Sequence, residues 1–166
     1  MTISQRSSLS DQLRSIAAFL GGSGVALGAY GAHGLVPKNS TMEKYAIAML
    51  KENWKTAVMY QLIHAASILT ISAIVECKEQ LHDRNTQQLA SFSTTISAIT
   101  LHQAGQVMAV GTALFSGSIY LLCLNIGPKY IWGPTTPIGG MLMIAGWVMM
   151  LSNNNNRSDS EKIDKL

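Results

Sequence analysis

The sequence predicts an all-α integral membrane bundle of four transmembrane helices, with a short amphipathic interfacial helix between spans one and two. Three observations lead there. Charged residues make up only 13% of the 166, against roughly 25% in soluble domains. Those charges are segregated: Asp, Glu, Lys and Arg are absent from residues 15–37, 56–75, 85–128 and 130–156. Each of these runs is long enough to hold the ~20 mainly apolar residues that cross about 30 Å of hydrocarbon. The chain then divides into an N-terminal polar segment (1–14), a four-span membrane domain (15–152) and a polar tail (153–166) expected to be disordered. The spans fall at about 15–34, 56–75, 103–125 and 134–152.

Span one is glycine-rich, with Gly21, Gly22, Gly24, Gly28 and Gly31. Such a run weakens a soluble helix by about 1 kcal/mol per glycine, but in a membrane it lets helices approach closely. Gly24 and Gly28 form a GxxxG pair, and Gly31 continues their face. The rival reading is a cleaved signal peptide, with Arg6 and Arg14 as its basic flank; the apolar stretch exceeds the usual length of such a core. Pro37 ends the helix. Ser40-x-x-Glu43 then has capping-box spacing. Met42, Tyr45, Ala46, Met49 and Leu50 recur at helical intervals, as in a helix lying on the membrane surface or packed on the bundle. Trp54 suits the interface.

Span two carries Thr56, Tyr60, Gln61 and His64 in its first half and ends at Glu76, Lys78 and Glu79. Span three is placed at 103–125, with Ser91 to Leu101 as a helical lead-in or loop; a fifth span is the alternative. Before span four, Gly127-Pro128 and Gly133-Pro134 mark a loop, and Thr136-Pro137 supplies a helix start. The positive-inside rule weighs seven basic residues on the side of both termini against five on the other, which favours termini inside. That topology puts Cys77 and Cys123 near opposite faces, so no disulfide joins them.

His33 and His64 are the chemically interesting residues, since ionisable groups at membrane depth default to a functional hypothesis. Thr56, Tyr60 and His64 share one helix face by their i, i+4, i+8 spacing. A polar cluster of His33, Tyr60, Gln61 and His64 between spans one and two follows as the candidate site. It would serve as a proton or small-solute pathway, or else simply hold helices together by hydrogen bonds worth about 0.6 kcal/mol each. No metal site and no cofactor is expected, because carboxylates and a third suitably spaced histidine are missing. Gly24, Gly28, Gly31, Gly117, Gly139 and Gly140 are the expected helix-packing glycines. Gly22-Ser-Gly24 fails as a nucleotide loop, and Phe115-Ser-Gly-Ser118 lacks the His/Asp pair of a serine nucleophile. Scattered basic residues give no nucleic-acid surface.

Four stretches taken together resemble one family: Gly28-Ala-Tyr-Gly-Ala-His-Gly-Leu35, Thr56-Ala-x-x-Tyr60-Gln-x-x-His64-Ala65, Leu114-Phe-Ser-Gly-Ser-x-Tyr120-Leu121, and Thr136-Pro-Ile-Gly-Gly140 with Ala145-Gly-Trp147. They resemble a family of small multi-pass bacterial membrane proteins of unknown function, whose eukaryotic members are called transmembrane protein 256. The resemblance spans about Ala17 to Leu151 and implies four spans, a membrane location and no particular reaction. This chain departs from it in a longer polar stretch from Lys78 to His102 and in its Asn-rich tail.

The expected function is a non-enzymatic helical bundle that packs within or assists a membrane complex. The alternative is a small-solute or proton transporter or channel built on the His/Gln/Tyr cluster. The expected partners are the lipid bilayer and either further copies of the chain or a larger membrane complex, with no nucleic acid. The membrane itself is left open between the mitochondrial inner membrane and a plasma membrane.

Overall fold

The computed structural model describes residues 9–36, 41–84 and 88–163, with side chains except those of 81–95 and 153–163. Arg6, Pro37 and Ser40, which carried parts of the sequence reading, lie outside the described residues. Among the described residues four helices follow in order: α1 (Leu9–His33), α2 (Lys44–Arg84), α3 (Gln88–Cys123) and α4 (Lys129–Ile163). All four are long and apolar enough to cross a membrane. In hydrocarbon this is the expected outcome, because a helix satisfies its own peptide groups where water cannot. Consecutive helices pack as antiparallel neighbours, α1 on α2, α2 on α3 and α3 on α4, and α1 also touches α3. Among the described residues the backbone of α4 comes close to α3 alone.

Several boundaries differ from those the sequence suggested. The amphipathic stretch 44–55 is helical, but it forms the first turns of α2 rather than an element of its own. No Gly or Pro occurs from residue 38 to 104, so nothing interrupts propagation once the helix has started. Likewise the polar lead-in to span three is helical from Gln88. Trp54 is not an interfacial anchor; it is 2% exposed, inside the bundle.

The α3–α4 connection is a tight turn. Asn125 adopts a left-handed φ of 55°, Ile126 N donates to Leu121 O and Asn125 N to Leu122 O. This pairing satisfies the last carbonyls of α3 in the manner of a Schellman cap. Gly127 follows at φ 76°, a conformation that side-chain-bearing residues rarely adopt. Helix α4 therefore begins at Lys129, earlier than Thr136-Pro137 suggested, and Pro134 and Pro137 lie inside it. Each proline removes one N–H donor. Thr135 and Thr136 donate to the carbonyls of Ile131 and Trp132 in the same turns. The helix continues through the Asn-rich stretch to Ile163, where the sequence suggested disorder. No Gly or Pro follows Gly146 to stop it.

The core has two parts. Near the termini it is aliphatic: Leu13, Ala17 and Leu20 of α1 meet Ala65, Ile68, Ile71 and Val75 of α2, with Leu101, Met108 and Ala109 of α3. At the other end Leu35, Trp54, Ala57 and Tyr120 form a smaller cluster rich in aromatic rings. Of the candidate polar residues, Tyr60, Gln61 and His64 lie between the two along α2.

Candidate functional site

Gln61 is the node. It sits mid-helix on α2, 4% exposed, where only a fully bonded amide is cheap. Its Nε2 donates to Leu20 O at 2.9 Å and to Ser23 Oγ at 2.8 Å, both on α1. Its Oε1 accepts from the Tyr120 hydroxyl of α3 at 2.9 Å. One side chain thus ties three helices, and the amide uses both donors and an acceptor. Ser23 Oγ in turn donates to Phe19 O at 2.7 Å. A neighbouring bond, from Ser116 Oγ to Ala57 O at 2.9 Å, joins α3 to α2.

The aromatic layer beside this node rests on Trp54. Its indole N–H donates to Leu27 O at 2.8 Å across the α1–α2 seam. The ring packs between Tyr30 and Tyr120, with centroids 5.5 and 4.6 Å away. A Cβ on Gly31 would collide with the indole, so this glycine makes the bond to Leu27 possible.

Tyr60 and His64 belong to a different seam. Tyr60 precedes Gln61 by one residue and His64 follows it by three, which puts them about 100° and 60° around α2 to the same side, and they turn toward α3 and α4. His64 is 6% exposed and its Nδ1 lies 2.8 Å from Tyr60 O. A carbonyl can only accept, so Nδ1 carries the hydrogen in that bond. The imidazole stacks on the Tyr60 ring at 6.0 Å and meets Trp147 of α4 edge-on at 6.3 Å, while Tyr60 packs on Phe115 at 4.9 Å.

His33 joins neither group. Its side chain is exposed at the end of α1, 13 residues beyond the Leu20 carbonyl that Gln61 reaches, or about 20 Å along the axis. The four-residue cluster therefore splits into a Gln61 node, a Tyr60–His64 pair and a solitary His33. Sequence reasoning missed Tyr120, Ser23 and Trp54 as partners, because helical spacing tells which face a residue shares but not what lies opposite. It also missed His102, 6% exposed on α3 with an unbonded Nδ1. Among the described residues no group of three His, Cys, Asp or Glu side chains is arranged to hold a metal ion.

The glycines take distinct positions. Gly24, Gly28 and Gly31 face Leu62, Val58 and Trp54 of α2. Gly139 faces the backbone of α3 at Gly111 and Phe115, and Gly140 lies near the Phe115 ring. Gly117 faces open space, so it is not a packing glycine within this bundle. Close helix contacts at Gly105 and Gly146 were not anticipated. A Cβ at Gly105 would press on Leu13, and one at Gly146 on Met108 and the Ala104 carbonyl.

Four apolar helices whose buried polar side chains are largely hydrogen-bonded within the bundle, most of them to backbone carbonyls, define the class: a small multi-pass integral membrane bundle. Comparison with known proteins narrows this. The family described as "Protein of unknown function (DUF423)" matches residues 27–140. A UPF0382 membrane protein of Staphylococcus haemolyticus is 35% identical over 127 residues, 76% of this chain and 81% of the relative. One of Schizosaccharomyces pombe is 32% identical over 139 residues, 82% of this chain and 95% of the relative. The UPF0382 inner membrane protein YgdD of Escherichia coli is 31% identical over 127 residues, 76% of each chain. The chain belongs to this DUF423/UPF0382 family of membrane proteins of unknown function. No solved structure matches it.

Proposed function

We propose that the protein is a non-enzymatic bundle that packs within or assists a membrane complex. The observation that carries this reading is the internal use of the polar groups. Gln61 bonds to Leu20, Ser23 and Tyr120, Ser116 to Ala57, Ser72 to Ser10 O, and His64 to its own helix. Groups held this way tie helices in register and leave few sites for a passing solute or a reacting bond. The node also lies away from His33, which weakens a relay running from one to the other. Phe19, Met141, Ile144 and Leu151, each at least 64% exposed, offer apolar surface for lipid or for another spanning helix.

The test is purification of the tagged chain in mild detergent together with a pH-gradient flux assay in proteoliposomes. A stoichiometric membrane partner, with no flux above empty vesicles, is the expected result. A pH-dependent flux that disappears in His64→Leu while the thermal stability of that variant holds would overturn the reading in favour of transport.

A further inference from the structure

The seam between α2 and α4 is the open side of the bundle. Among the described residues the backbones of these two helices do not approach each other, and both lean on α3. Side chains bridge the gap. The His64 imidazole of α2 meets the Trp147 indole of α4 at 6.3 Å. Phe115 of α3 lies 4.9 Å from the Tyr60 ring on one side and near Gly140 on the other. The seam is deep in the membrane: along α2, His64 stands nine residues from Lys55 and twelve from Glu76, or about 14 and 18 Å from the charged ends of the span. It also faces the lipid, with Tyr60 38% and Trp147 43% exposed and Ile144 more so.

Three hydrogen-bonding atoms at this depth have no partner among the described residues. His64 Nδ1 carries its hydrogen toward Tyr60 O, so in the neutral ring Nε2 is an acceptor alone, and nothing donates to it. The Tyr60 hydroxyl and the Trp147 N–H are likewise unbonded. By contrast Gln61, Ser72, Thr112 and Ser116 all have partners. Unbonded atoms at His102 and Trp132 are sealed from the surface, whereas His64 Nε2 is not. An unmet polar group in hydrocarbon is costly, since no water reaches it. These three atoms call for something that arrives through the lipid.

Their chemistry narrows what that is. A route through hydrocarbon selects an uncharged, largely apolar molecule. Three aromatic side chains and an imidazole, set edge and face to one another, suit a flat ring. A bare acceptor flanked by two donors suits a hydroxyl, which donates once and accepts as well; an ether or ketone oxygen leaves Nε2 unmet. We infer that the seam binds a lipid-soluble phenol or quinol, whose ring packs against Tyr60, Phe115 and Trp147 and whose hydroxyl donates to His64 Nε2 and accepts from Tyr60 or Trp147. The apolar remainder of the ligand lies in the lipid beside Ile144. Apolar, aromatic walls with a few convergent polar groups are the ordinary make-up of small-molecule sites between the helices of bundles. This assignment holds whether or not the bundle has a protein partner.

Native mass spectrometry of the full chain, released from mild detergent with added 4-decylphenol or its methyl ether, tests this. The two probes differ in the one hydrogen that Nε2 accepts. The expected result is one retained phenol, with the ether held about tenfold more weakly. His64→Phe keeps a ring in place but removes Nε2, and should bring the two probes level. Tyr60→Phe should weaken the phenol by about threefold and leave it ahead of the ether. A decylphenol with a photoreactive group on its chain needs no variant, and should label peptides containing Ile63 or Ile144. Equal retention of both probes by the unaltered chain, a preference that survives in His64→Phe, labelling confined to other surfaces, or a dimer that Ile144→Trp dissociates would each overturn the assignment.

Discussion

The α1–α2 pair and the α3–α4 pair both close over glycines, yet different things sit opposite them. Across α1–α2, each of Gly24, Gly28 and Gly31 receives a side chain, from Leu62, Val58 and Trp54 in turn. That seam is also bonded by Gln61 to Leu20 and Ser23, and by Trp54 to Leu27. Across α3–α4, Gly111 and Gly139 put backbone against backbone, and a Cβ on either would run into main-chain atoms. The side-chain bond across it is Ser118 to Thr136 at 2.7 Å. One seam is assembled from flexible parts and hydrogen bonds, the other from rigid surfaces in contact. In lipid, where burial of apolar area drives helices together only weakly, these are the two available means.

The sharpest way to break the comparison is to add bulk to each seam. Gly139→Val should cost about 3 kcal/mol, the upper end of overpacking penalties, because the main chain of Phe115 and Gly111 cannot move aside without moving the helix. Unfolding by SDS titration in mixed micelles would show it, and α4 should become more protease-sensitive than α1. Gly24→Ala meets side-chain atoms alone, those of Leu62, which can rotate, and Gln61 Nε2 at 3.4 Å, so about 1 kcal/mol is expected in the same titration. Equal losses in the two variants would mean that the seams are alike.

A finer probe concerns the hydrogen bonds. In a double-mutant cycle of Gln61→Leu and Tyr120→Phe, the coupling should be about 0.6 kcal/mol, the ordinary strength of a side-chain bond between membrane helices. Gln61→Leu alone should cost more, since it also releases Ser23 and the Leu20 carbonyl. A coupling near zero would show that Tyr120 stays in place through its packing on Trp54 and not through its hydroxyl.

These two seams also mark what the sequence could reveal. Gly24, Gly28 and Gly31 announce a shared face by spacing alone, and uncharged runs reveal four spans because hydrocarbon tolerates little else. Gln61 stands out as a polar residue in an apolar run. Its partners do not, because Tyr120 reaches it only when α2 and α3 are set in register, and spacing within one helix carries no information about register between two. Trp54 looked interfacial for the same reason: a tryptophan near a span's end sits in headgroups or in a glycine notch, and only the position of Gly31 across the seam decides. The extension of α2 went unread as a continuation because polar residues at 51–55 resemble a loop boundary, whereas the absence of Gly and Pro is what governs helix propagation.

The smallest expected effects test the negative side of the comparison. Gly117 belongs to the same small-residue run as Ser116 and Ser118, but nothing lies within 4 Å of where its Cβ would be. Gly117→Ala should therefore change stability by less than about 0.5 kcal/mol, or raise it slightly, since Ala favours the helix. His33→Ala should be equally quiet, because the exposed ring lies far from the Gln61 node. If either substitution destabilised the protein in a membrane but not in dilute detergent, the face concerned would be covered there by something outside the chain. Loss confined to Gly117→Ala would place a second helix against α3, which is the contact that membership in a larger complex requires.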